Sequence, residues 1–146
     1  MIDLDQAEAD HLIALDKFFA SASAIALPAP GVRDLHRLHS SDPREDFLLD
    51  VQQASIALLK ATYQLRARSV VVLARLDFGR LHTNPDGARV GDPHLHVYRE
   101  GYHDKWAFQP DETRFDSPSD LVASLKSFML YCNVVDPPEV LRRLLP

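Results

Sequence analysis

Four of the chain's seven histidines, His82, His94, His96 and His103, fall within twenty-two residues, with Arg75, Arg80, Arg99 and Lys105 around them. An imidazole titrates near pH 6.5, so near neutrality it can serve as acid, base or metal ligand. The segment Pro93-His94-Leu95-His96-Val97-Tyr98 alternates polar and apolar residues. In a strand, this period of two sets His94, His96 and Tyr98 on one face and turns Leu95 and Val97 into the core. Two imidazoles then stand ~7 Å apart at their Cα atoms, close enough to share a metal or a phosphate.

Three chemistries fit these residues. In a metal-free, ribonuclease-type site, one of His82, His94 and His96 takes a ribose 2′-OH proton and another protonates the leaving oxygen. Arg75, Arg80, Arg99 or Lys105 then stabilise the phosphorane charge, and Asn84 and Tyr98 help to bind substrate. In a metal site, His82, His94 and His96 supply three nitrogens to a divalent ion such as zinc and leave one position open for water. In a non-catalytic reading, the histidines cap strands, Asn84 and Asp86 hold the turn, and the loop 80–92 is a surface for another protein. Asp77, ending a long apolar run, either orients a histidine or forms the turn.

The net charge of −5 argues against a nucleic-acid partner, because Lys and Arg supply most of such affinity. Its distribution points the other way. Residues 1–59 carry ten acids against four bases, residues 60–105 five against eight, and residues 106–146 six against four. The histidine-bearing centre is therefore basic between acidic flanks.

The elements that must position these residues follow from periodicity. Asp5 with Glu8 reads as a helix N-terminus, and Leu12, Leu15, Phe18 and Phe19 continue at helical spacing, so a helix is expected over 1–23. Pro28 and Pro30 with Gly31 break it. A sheet is expected over 32–109, with strands at Val32–His39, Phe47–Val51, Tyr63–Arg68, Ser69–Phe78, His94–Arg99 and Lys105–Phe108. Between them lies a histidine-rich loop, 79–93, whose Asn84-Pro85-Asp86-Gly87 core is a turn signature. Ser117-Pro118 opens a second helix over 117–133, buried through Leu121, Leu125, Phe128, Met129 and Cys132. The tail 137–146 carries a helical turn over Glu139–Leu144. The reading is one α+β domain: N-terminal helix, antiparallel sheet of about four to six strands, C-terminal helix.

At 146 residues and 46% hydrophobic content, the chain can bury a core without a staple. A single cysteine forms no internal disulfide, which fits a reducing compartment such as the bacterial cytosol. No apolar run approaches a membrane span, and the acidic N-terminus is unlike a secretory signal. A cytoplasmic protein without a membrane partner is expected.

The words Leu81-His82-Thr83-Asn84-Pro85-Asp86-Gly87, Pro93-His94-Leu95-His96-Val97-Tyr98-Arg99-Glu100-Gly101-Tyr102 and Asp104-Lys105-Trp106-Ala107-Phe108 resemble an uncharacterised bacterial and phage domain family. That resemblance implies no activity. More distantly, Arg75, Asp77, His82 and Pro93-His94-Leu95-His96 are similar to the TumE-type toxins of toxin–antitoxin pairs. This similarity implies a compact ribonuclease-like α+β toxin neutralised by a partner protein. The leading expectation is thus a prophage- or defence-associated protein acting on RNA, an endoribonuclease-like toxin without a cofactor, with a small antitoxin or host protein as partner. A non-enzymatic phage inhibitor or accessory factor is the alternative, and a metal-dependent hydrolase the third.

Overall fold

Register decides this fold, because most of its strands pair antiparallel with a neighbour in sequence. The computed structural model describes residues 2–20, 23–55, 60–110, 115 and 120–142. Helix α1, Gln6–Ala14, starts where Asp5 accepts the Glu8 N–H at 2.8 Å. The expected helix to residue 23 ends early, since Lys17–Phe19 form strand β1 against residues Leu38–Ser40. Helical spacing of Phe18 and Phe19 is overridden by tertiary pairing. Strand β2, Ala24–Ala26, follows, then β3, Arg33–Ser40, β4, Asp46–Ser55, β5, Lys60–Ala67, and β6, Val71–Phe78. The expected loop 79–93 contains a small hairpin, β7, His82–Thr83, against β8, Arg89–Val90. Strands β9, His94–Val97, and β10, Ala107–Phe108, complete the sheet.

The large sheet has seven strands in the order β1-β3-β4-β5-β6-β9-β10, one more than the upper expectation, and all its pairs are antiparallel. The additional strand is β1, which the periodicity hid inside the helix. Helix α2, Leu121–Tyr131, is capped by Asp120, whose carboxylate accepts the Ala123 N–H. The expected cap Ser117-Pro118 lies outside the described residues. The tail forms strand β11, Glu139–Leu141, parallel to β2, in place of the expected helical turn. Its paired backbone finds an open strand edge, which outweighs a weak helical signal.

One face of the sheet is apolar. Leu49, Val51, Tyr63, Leu65, Leu73 and Leu76 join Leu12 of α1 and Leu125, Phe128 and Met129 of α2 in the core. Cys132 is buried there as a small hydrophobe. No helix among the described residues is long and apolar enough to cross a membrane. The other face is polar. Cross-strand partners line up as Arg33, Gln52, Thr62, Asp77 and His94 in one row, and Leu35, Asp50, Gln64, Arg75 and His96 in the next. The functional candidates lie at the end of these two rows.

Candidate metal centre

Strand β6 carries Arg75 and Asp77, and β9 sets His96 opposite Arg75 and His94 opposite Asp77. Alternation does the rest: Leu95 enters the core while both histidines stay on the polar face. They are not exposed there. His94 and His96 retain 2% and 1% of their accessible surface, because the β7-β8 hairpin and the 98–105 turn cover this end of the sheet. The covering hairpin brings His82 into place. One nitrogen from each of His82, His94 and His96 lies within 4.8 Å of the other two. The ring centroids are 4.5 Å apart for His82 and His96, 4.9 Å for His94 and His96, and 5.5 Å for His82 and His94.

The surrounding hydrogen bonds select the tautomers. His82 Nε2 faces the Lys105 carbonyl at 2.8 Å, and His96 Nδ1 faces the Asp104 carbonyl at 2.7 Å. A carbonyl only accepts, so both nitrogens donate. In the neutral rings, this leaves lone pairs on His82 Nδ1 and His96 Nε2. His96 Nε2 is also 3.0 Å from Arg75 Nη2, which can only donate. His94 Nε2 stands 3.3 Å from Asp77 Oδ2, and its Nδ1 is buried with no hydrogen-bond partner among the described residues.

Asp77 is the hub. It is buried, with Thr62 donating to Oδ1 at 3.0 Å and Arg75 Nε donating to Oδ2 at 3.1 Å, while His94 and His96 both stand 3.3 Å away. Burial alone would raise its pKa. The contact to His94, with Arg75 and Thr62, overcomes this and holds the carboxyl well below the usual range. Arg75 is itself held on its far side, donating Nη1 to Asp104 at 2.8 Å. One guanidinium between two carboxylates leaves this shell with a formal charge of −1, which favours a cation beside the imidazoles.

These residues fit a divalent ion once Arg75 Nη2 turns away from His96 Nε2, whose lone pair it occupies here. Ligating histidines characteristically donate the second ring N–H to a carbonyl or carboxylate. Here two of the three rings donate to carbonyls, and the third has Asp77 at one nitrogen and an unpartnered second nitrogen. Donors on one tetrahedral zinc ion lie about 3.3 Å apart, and the three nitrogens, all within 4.8 Å of one another, would close around an ion by side-chain rotation. An open depression of about 400 Å³, lined by Arg75, His82, Thr83, His96 and Lys105 among others, connects the triad's His82 side to solvent.

Other expected site residues are placed elsewhere. Strand β9 ends at Val97, so Tyr98 leaves the histidine face and joins the core, where its hydroxyl donates to the Leu4 carbonyl and accepts the Leu4 N–H. Arg99 lies 4.4 Å over the Trp106 ring, away from the triad's partners. Trp106 is half-buried, and its Nε1 has no hydrogen-bond partner among the described residues. His103 contacts Asp3 at the N-terminus. Arg80 lines a second depression on the polar face rather than the one beside His82. Asn84 is committed to the backbone, donating to the Ala107 carbonyl and accepting the Ala107 N–H, both at 2.9 Å. It fastens the His82 hairpin to the edge strand β10. The Asn84→Ala substitution leaves both Ala107 groups bare in a buried position. It is expected to cost about 2 kcal/mol in urea unfolding and to loosen His82, seen as a change in its imidazole NMR signals. Asp104 and Thr62 join the site without having been singled out from sequence. Asp104 had a signal, since it stands inside the histidine-rich segment, while Thr62 is found only through register.

The fold and site thus define an α+β protein whose polar sheet face ends in a buried histidine triad. Residues 4–134 match a family of unknown function, DUF6978, and the chain belongs to that family. No curated protein matches the chain, and no solved structure does. The expected membership of an uncharacterised family is thereby supported, whereas the similarity to TumE-type toxins has no counterpart among the matches.

Proposed function

We propose that His82, His94 and His96 hold one divalent metal ion, zinc in the first instance, and that the protein is a metal-dependent hydrolase. The observation that carries this is the convergence of three imidazole nitrogens within 4.8 Å. Two of the rings are already oriented by backbone carbonyls. A bound ion would supply Lewis-acid polarisation and bring the pKa of a coordinated water to about 7. Asp77 orients His94, Asp104 orients both His96 and Arg75, and Lys105 stands at the mouth to neutralise an anionic substrate. The metal-free acid–base reading needs two imidazoles on one phosphate. Burial of His94 and His96 leaves only His82 part-exposed, so that reading has less support than the metal one.

Elemental analysis of protein purified without chelator, followed by zinc titration of the stripped chain, tests the metal. About one ion per chain is expected, lost in the His82→Ala and His94→Ala variants while both remain folded by circular dichroism. Wild-type protein that takes up no metal, or variants that bind it equally well, would end the proposal. A mixed RNA pool, incubated with the loaded, stripped and His94→Ala/His96→Ala proteins, tests RNA as the substrate. Identical RNA profiles for all three would remove RNA from the reading.

A further inference from the structure

The two polar rows that end at the histidines also form a concavity of about 280 Å³ on the sheet face. Every described residue lining it is polar, with Arg33, Arg75 and Arg80 supplying positive charge and Asp50 and Asp77 negative. The acids are already satisfied. Asp50, 3% exposed, is held by Arg66 at 2.7 Å, Gln64 at 2.6 Å and Arg33 at 2.8 Å. Asp77 is held by Arg75 and Thr62. The arginines keep donors in reserve: Arg33 is half exposed while paired, and Arg80 is exposed. Lys105 is exposed at the other side of the triad, and Arg75 lines both depressions.

We infer that this face is a track for the phosphodiester backbone of a single-stranded nucleic acid, running from Arg33 and Arg80 past Arg75 to Lys105. The inference rests on the hydrolase reading above and names the substrate class of that site. Four strand spacings separate Arg33 from His94 in their row, about 19 Å, so the track is longer than one phosphate. Guanidinium forks suit phosphate oxygens, and Gln52 and Gln64 can hydrogen-bond the sugar and backbone between them. No aromatic side chain among the described residues lines the concavity to stack bases, so recognition through charge and little sequence preference are expected.

The test uses the full chain, a fluorescent single-stranded RNA oligonucleotide, and anisotropy across a salt series. The double variant Arg33→Gln/Arg80→Gln touches no triad residue. It is expected to bind about tenfold more weakly, with the slope of log K against log salt reduced by about 1.4, as two lost phosphate contacts require. Unchanged affinity and slope would overturn the inference, as would a wild-type chain that ignores the oligonucleotide. Tighter binding of heparin than of the oligonucleotide would assign the track to another polyanion and overturn it as well. Binding is measured on both zinc-loaded and stripped protein. Oligonucleotide binding by stripped protein that takes up no zinc would sink the hydrolase reading and leave the track standing, whereas zinc uptake without oligonucleotide binding would do the reverse.

Discussion

The Asp77→Ala chain is expected to be less stable than the wild type by about 3 kcal/mol and to hold zinc 10–100-fold more weakly. The stability loss follows from what the carboxylate serves. It is buried, and its removal strips an acceptor from Thr62 and half the counter-charge from Arg75, whose other contacts are Asp104 and His96. A half-buried guanidinium left with one carboxylate in place of two removes the net negative charge that favoured a cation beside the imidazoles. The affinity loss has a separate origin: His94 loses the group that faces its Nε2. Asp77→Asn separates the two effects. The amide keeps the volume and can still accept from Thr62 through its oxygen, so most stability is expected to return. The charge does not return, so zinc affinity stays low. Urea midpoints and zinc titrations on the three chains read both quantities. Equal zinc affinity in all three would show that Asp77 is structural only.

Much of this site was legible in the sequence, and the illegible parts share one cause. Alternation alone placed His94 and His96 on the face opposite Leu95, because strand period is local. The Asn84-Pro85-Asp86-Gly87 turn was likewise local, with Gly87 at φ +86 and its N–H on the Asn84 carbonyl. Tyr98 broke the same alternation because the strand stops one residue earlier, which depends on where Leu4 needs a partner. That His82 meets His94 and His96 depends on Asn84 docking at Ala107, twenty-three residues away. The place of Asp77 depends on β6 pairing with β9 in the register that sets it against His94. The basic excess of the centre pointed to the segment that holds the histidines, yet it could not show that Arg80 and Arg33, far apart in sequence, share one concavity. Pairings between distant segments carry no periodicity, and a single chain gives no means of reading them.

Lys17 is the extreme of that kind, with no sequence signal and a large expected effect. Helical spacing put it inside a long helix, but it lies in β1 with its side chain fully buried. Its ammonium donates to the carbonyls of Ile13, Leu15 and Cys132 at 2.8, 2.8 and 2.9 Å. It also sits 4.6 Å from the centre of the Phe47 ring. The first two carbonyls belong to the C-terminal end of α1 and its cap, and the third caps α2, so one cation closes both helices. Lys17→Met keeps the length and removes all three donors, and a loss of about 2–4 kcal/mol in urea unfolding is expected. Burial pushes the ammonium down to about 8 from 10.5, against the opposing pull of Cys132 and Asp16. A folded-state value below the unfolded one means that the unfolded chain binds more protons between those limits. Wild-type stability therefore rises with pH across that window through this group. The methionine chain lacks the group, so its deficit should widen from pH 8 to pH 10.5. A variant as stable as the wild type would mean that desolvation of the ammonium cancels its three hydrogen bonds, as happens when buried ion pairs are replaced by apolar groups of similar volume.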